Sequence, residues 1–232
     1  MSAIPGASAS ARESILGRLR KVSIADAPAL PDVKAWFDTH RRNEDIPQRI
    51  SRLRTAMEAV KTEFHDVTAG DWTDVLLRVA ASKGIRNLLI GPNTLHGAEL
   101  QARSPDSLQL VHYVQPIEAW RDTLFDTIDA SLTAARSAVA EIGSVVVWPT
   151  PSEPRLMSLV PHIHFVLLDV ATIHSDLHSA ITSEGWSDGL PTNALLIGGP
   201  SKTADIQQTL AYGAHGPKEL IVLLRHPTGA SQ

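Results

Sequence analysis

Six short apolar runs set the limits on what this chain can become: Asn87–Gly91, Leu108–Val114, Ser144–Trp148, His164–Asp169, Ala194–Gly198 and Leu220–Leu224. Runs this short, rich in Val, Leu and Ile on successive positions, read as strands buried on both faces. Helical stretches separate several of them. The first, Asp71–Lys83, turns Val75, Leu76 and Val79 to one side. Strands alternating with helices predict an α/β fold with a mostly parallel sheet flanked by helices. Between Asp126 and Trp148 the spacing is too tight for a crossover helix. Thr127–Ala134 and Gly143–Trp148 are therefore expected as antiparallel or loosely coupled strands, which makes the sheet mixed.

The first 65 residues read differently. Ser10–Lys21 is a short amphipathic helix with Ile15, Leu16 and Leu19 on one side, and a proline-punctuated stretch follows from Pro28 to Pro31. Asp45–Glu63 places Ile46, Ile50, Leu53, Met57 and Val60 along one helix face, a stripe expected to pack on the chain's own core, with docking onto a partner chain as the alternative. The expected organisation is a helical N-terminal extension over residues 1–65 and an α/β domain over residues 66–232.

Composition removes whole classes of function. Of 21 Lys/Arg and 25 Asp/Glu, residues 66–232 hold 10 and 17, so the larger part is acidic, and the pI is about 6.2. A nucleic-acid-binding face is basic, so nucleic acid is not an expected partner. No apolar run is long enough to span a bilayer, and the first residues lack the apolar stretch of a secretory signal; the expected location is the cytoplasm. With no Cys, the chain offers no thiolate for an iron–sulfur cluster, a zinc finger or a nucleophile. Neither Gly91-Pro92-Asn93 nor Gly198-Gly199-Pro200 makes the dinucleotide fingerprint, and there is no phosphate-binding Walker loop.

The segment Gly198–Leu220 draws most attention. An apolar strand runs into Gly198, Gly199 and Pro200, and then into Ser201, Lys202, Thr203 and a stretch that reads as a helix ending near Gly213. Glycines allow close approach of backbone to ligand, Ser201 or Thr203 can cap the helix, and the free N–H groups of a first turn attract an anion. Lys202 adds positive charge. In an open α/β sheet such a loop is expected beyond the carboxyl ends of the strands, where ligands sit. Asp205 and Gly216 lie in the same segment and complete the candidate contacts. His215 sits in the following turn, either capping the helix end or moving a proton near neutral pH.

Other candidates are scattered. Glu141 and Glu153 stand at turns, where a carboxylate can act as base or nucleophile, Glu153 being the one more expected at the surface. Arg155 offers a planar fork to a substrate carboxylate. His162 and His164 share one strand face, and His174 and His178 one helix face; no third ligand completes a metal site for either pair, and no metal is expected.

Three stretches resemble one family. GPSKTADIQQTLAYGAHGPKEL is similar to the closing signature of the lactate utilisation protein C family, the LUD-domain proteins. AEIGSVVVW followed by PRLMSLVPHIHFVLL resembles another family segment, through Arg155, Ser158, Leu159, Pro161, His162 and Ile163, and the opening SARESILGRLR is typical as well. Family members usually carry Arg at the position of Lys202, and often Thr-Gly-Thr at Ile142-Gly143-Ser144. The resemblance implies a fold related to the sugar-phosphate isomerase and CoA-transferase sheet. It also implies a role in oxidising L-lactate to pyruvate as one of three proteins, the others being iron–sulfur and flavin-type subunits. On that reading this chain holds no cofactor itself, its partners carry the clusters, and its ligand is a small carboxylate or other anion. Glu141 and Arg155 then become neighbours of the Gly198–Gly216 loop in one cleft. The competing readings are a stand-alone acyl- or CoA-transferring enzyme using Glu141, and an anion-binding module without chemistry.

Overall fold

The structure is a computed structural model that describes residues 6–21, 29–204, 210–213 and 215–227. It comprises two compact units, Met1–His40 and Arg41–Gln232. The first contains helices α1 (Gly6–Lys21) and α2 (Val33–His40). The last turn of α1 carries Arg18, Arg20 and Lys21, the favourable sign for a helix C-terminus. In α2 the rings of Trp36 and His40, one turn apart, stack at 4.4 Å.

The second unit runs α3 (Ile46–Glu58), β1 (Glu63–Thr68), α4 (Trp72–Ser82), β2 (Asn87–Ile90), α5 (Leu95–Gln101), β3 (Gln109–His112), α6 (Ile117–Asp126), β4 (Ala130–Ala134), β5 (Ser137–Val139), β6 (Ser144–Val147), β7 (Ile163–Asp169), β8 (Ile173–His174), α7 (Leu177–Ser183), β9 (Leu195–Ile197), β10 (Lys202–Ala204), β11 (Leu210–Tyr212) and β12 (Glu219–His226). The helix starts follow from local chemistry. Asp45 and Gln48 form a reciprocal capping box with Pro47 in the first turn of α3, while Thr94 and Asp176 cap α5 and α7.

Six strands form one sheet in the order β1-β12-β7-β4-β2-β3, and every pairing in it is parallel. Three of the apolar runs supply its inner strands β2, β7 and β12, whereas Leu108–Val114 supplies the edge strand β3, and Ser144–Trp148 and Ala194–Gly198 fall in a second sheet. One face packs Leu88, Ile90, Leu132, Phe165, Ile221 and Leu223 against α4 and α5. The other face turns Val166, Leu168, Val222 and Leu224 toward α3 and a second sheet. That second sheet, β8-β5-β6-β9, holds the antiparallel pairs. It is built by two excursions from the main sheet, between β4 and β7 and between β7 and β12. The antiparallel character expected around Gly143–Trp148 is therefore real but separate, whereas Ala130–Ala134 joins the parallel sheet. The α3 stripe packs as expected: Leu53 and Met57 are fully buried, and the ends of the stripe, Ile46 and Val60, stay exposed.

Gly198–Leu220 departs from expectation. Lys202–Ala204 and Leu210–Tyr212 pair as an antiparallel ladder, Lys202 opposite Tyr212, in place of a helix starting at Ser201 or Thr203. The physical reason lies in composition: Thr203 and Tyr212 favour extended backbone, and Gly213 takes up the left-handed φ of +80° that turns the chain afterwards. Among the described residues no helix is long and apolar enough to cross a membrane.

One buried polar residue makes a testable contribution to stability. His164 sits at the centre of the sheet with no exposure, its Nε2 2.9 Å from Thr133 Oγ1 and its Nδ1 without a partner. Burial pushes its pKa down to about 3 from 6.5. Between those values the unfolded chain binds a proton that the folded chain does not, so stability falls as pH drops through this window and is unaffected by His164 above it. Urea unfolding of the chain and of His164→Gln should diverge accordingly. Between pH 7 and pH 5 the native chain is expected to lose about 2 kcal/mol more than the variant; equal losses would show that His164 is not held neutral.

Candidate functional site

The strand order identifies where a ligand fits. From β2 the chain passes outward to β3, whereas from β4 it passes to β7 on the opposite side. The connections thus diverge between β2 and β4, and it is beyond the carboxyl ends of the two strands at such a switch point that α/β sheets usually hold ligands. The turn after β2 is Gly91-Pro92-Asn93-Thr94, in which Asn93 holds a left-handed φ of 59° and Thr94 caps α5. The loop that follows β6 lies across this turn.

Two titratable side chains meet there. His96, on the first turn of α5, has Nε2 2.8 Å from Glu153 Oε1, and the two side chains are only 12% and 10% exposed. Glu153 Oε1 also accepts from Ala134 N, at the end of β4, at 3.3 Å. Oε1 thus serves as the shared acceptor of the two contacts when the imidazole N–H is the donor. The loop that presents Glu153 is closed on itself: Glu153 N donates to Thr150 Oγ1 (2.9 Å) and Thr150 N to Glu153 O (3.0 Å). Gly91 makes the arrangement possible. A Cβ there would stand 2.6 Å from Ser152 O and 2.8 Å from Glu153 Cγ. A buried carboxylate bonded to an imidazole, in a crevice at a sheet's switch point, can hold or move a proton on a bound molecule.

Glu153 was expected at the surface; the structure buries it, because its acid group has partners at the end of β4. Arg155 follows two residues later and is exposed, its Nη1 donating to Asn193 Oδ1 at 3.2 Å. The remaining sequence candidates lie elsewhere. Glu141 is half exposed beside Arg52 (3.7 Å), in the turn between β5 and β6. A Cβ on Gly198 would meet Gly143 O at 3.3 Å, and one on Gly199 would meet Val60 Cγ2 at 2.7 Å, so these glycines admit the neighbouring backbone and side chain. Pro200 follows them, half-buried. Ser201 N donates to Pro217 O (2.8 Å), Gly213 N to Ser201 O (3.0 Å) and Lys218 N to His162 O (2.7 Å). Gly216 packs on Ser201, and Lys202 and His215 are exposed. These contacts tie the loop to the residues entering β7 and β12, the amino ends of the strands, opposite to the side expected. Thr203 lies in β10, and Asp205 falls outside the described residues.

His96 was missed by sequence reading. The signal for it existed: an apolar strand, a glycine and a Thr cap, the same pattern that drew attention to Gly198, stands at Leu88–Thr94. Among the paired histidines, His162 is exposed ahead of β7, His174 bonds Glu184 (3.0 Å), and His178 lies 3.0 Å from Arg41 Nη2. Among the described residues no group of three or more His, Asp or Glu could hold a metal ion.

The other strands' carboxyl ends carry two adjoining pockets of about 310 and 560 Å³, which share Val170, His226 and Pro227. Their charges are matched within the protein: Arg225 forks onto Asp169 through two 2.7 Å bonds, and Asp66 accepts from Arg54 and His226. Glu153 is different, since both of its hydrogen bonds use one oxygen.

Residues 50–224 match the family model of the LUD domain. The chain is 40% identical over 222 residues to an uncharacterized protein of Neisseria meningitidis serogroup B, covering 92% of this chain and 93% of the relative. It is 25% identical over 239 residues to Lactate utilization protein C of an Exiguobacterium species, covering 93% and 96%. The crystal structure of a DUF162 family protein from Deinococcus radiodurans shares the fold at 14% identity with a TM-score of 0.54, over 79% of this chain and 99% of that one.

Proposed function

The chain belongs to the LUD-domain family, and from that premise we propose that it serves in lactate utilisation, as a subunit of a system that oxidises L-lactate to pyruvate. The observation that carries this reading is the end-to-end similarity to a protein named for lactate utilization. A chain with no Cys supplies no cluster, so the electron-carrying centres belong to iron–sulfur partners. Its own contribution is to hold a small hydroxy acid in the crevice between β2 and β4. Arg155, whose guanidinium fork has further N–H groups to offer, takes the carboxylate, and the His96–Glu153 pair takes the other end of the molecule.

A rival placement of the anion at the Gly198–Gly216 loop draws on the exposure of Lys202. Lys202→Ala would abolish ligand binding in that case and leave it intact if the crevice is the site. The function itself is tested by deleting the gene and measuring oxygen uptake with L-lactate as the only fuel. Loss of uptake, restored by the intact chain, is expected; uptake at the full rate in the deletion strain would refute the proposal.

A further inference from the structure

We infer that Glu153 reads the hydroxyl of its ligand, so that the crevice selects a 2-hydroxy acid over the corresponding 2-oxo acid. This rests on the proposed function and goes beyond it by naming the atom that discriminates. Both hydrogen bonds to Glu153, from His96 Nε2 at 2.8 Å and Ala134 N at 3.3 Å, converge on Oε1. Among the described residues Oε2 accepts none, and it is not among the buried polar atoms left without a partner. It therefore keeps some exposure to solvent on a side chain that is otherwise covered.

An ionised carboxylate oxygen is an acceptor with no proton to give. Three groups could face it. A ligand carboxylate would place like charge against a side chain that is 10% exposed, where screening is weak. A ketone oxygen would oppose one acceptor with another. A hydroxyl alone donates, and a hydrogen bond to a charged group is among the stronger ones available. The neighbouring donors keep Oε1 turned inward, which leaves the carboxylate no rotation by which to offer the ligand anything else. Gly91 enforces the same pose from below, since Ser152 and Glu153 pack where its Cβ would be.

The test compares three probes of similar size and equal charge, L-lactate, pyruvate and propionate, binding to the full chain by titration calorimetry. L-lactate should bind about tenfold or more tightly than pyruvate or propionate. In Glu153→Gln the Oε1 position still accepts from His96 and Ala134, which turns the amide NH2 toward the ligand. The preference for lactate over pyruvate is then expected to collapse or invert, with the unfolding midpoint close to that of the native chain. Equal affinities in the native chain, no binding of L-lactate, or an undiminished preference in Glu153→Gln would each overturn the inference. Loss of L-lactate-dependent oxygen uptake on gene deletion, together with equal affinities, would overturn this inference and leave the lactate-utilisation role standing.

Discussion

Gly91→Val is expected to leave a folded protein without a working crevice. The added Cβ would lie 2.6 Å from a backbone oxygen, Ser152 O, and 2.8 Å from Glu153 Cγ, and valine then adds two methyl groups. Neither neighbour can yield as a flexible side-chain tip would, because Thr150 and Glu153 clamp the loop with a reciprocal pair of hydrogen bonds. The loop must move as a body. Overpacking of this kind costs about 1–3 kcal/mol, which most domains survive. The functional loss is larger, since a displacement of about 1 Å in a site can lower activity on the order of a hundredfold. Spectra of the His96 imidazole protons should shift, because its partner has left. L-lactate-dependent oxygen uptake in a strain carrying only this variant should fall toward that of the deletion. Wild-type uptake with an unperturbed His96 signal would mean that the contact is not as close as described.

Gly143→Val is expected to produce a large loss of stability. Gly143 holds a φ of +61°, a region that a β-branched residue adopts at a cost of roughly 1–2 kcal/mol. Its Cβ would also stand 2.5 Å from Ala56 Cβ on α3, a helix fixed by the burial of Leu53 and Met57. Adding about 1–3 kcal/mol for that clash, the unfolding free energy should drop by about 2–5 kcal/mol, a large share of the usual total. Chemical denaturation reads this directly. Gly143→Ala keeps the strained φ but adds less bulk and should lose less. A valine variant as stable as the native chain would contradict the described approach of α3 to the β5–β6 turn. The contrast with Gly91 is informative: both glycines permit close contact, but only Gly91 packs beneath the hydrogen-bonded His96–Glu153 pair.

Much of the fold was legible because burial writes itself into the strands. Leu88–Ile90, Phe165–Leu168 and Ile221–Leu224 are apolar at successive positions, as a parallel sheet covered on both faces requires. β1 was not legible. It is an edge strand carrying Glu63, His65 and Asp66: Glu63 pairs with Lys83 and bonds His65 beside it, and Asp66 pairs with Arg54 and bonds His226. The hairpin of β10 and β11 was hidden for another reason. A glycine turn followed by Ser and Thr serves a helix cap or an extended segment equally well, and in the structure Ser201 is tied by backbone hydrogen bonds to Gly213 and Pro217, 12 and 16 residues further on. The site was half visible. Glu153 and Arg155 stood out as charges near prolines, but whether Glu153 is buried depends on Ala134 and His96, 19 and 57 residues away. No local pattern encodes a strand order, and it is the strand order that singles out the crevice between β2 and β4.

The most direct test of that crevice as the working site is complementation with Glu153→Gln, a change of one atom at one oxygen. In a deletion strain, expressed to the level of the native chain and shown to retain its unfolding midpoint, the variant should restore L-lactate-dependent oxygen uptake to no more than about a tenth of the native rate. Lys202→Ala should restore it fully. Full uptake with Glu153→Gln, and loss of uptake with Lys202→Ala, would contradict the assignment and move the site to the Gly198–Gly216 loop.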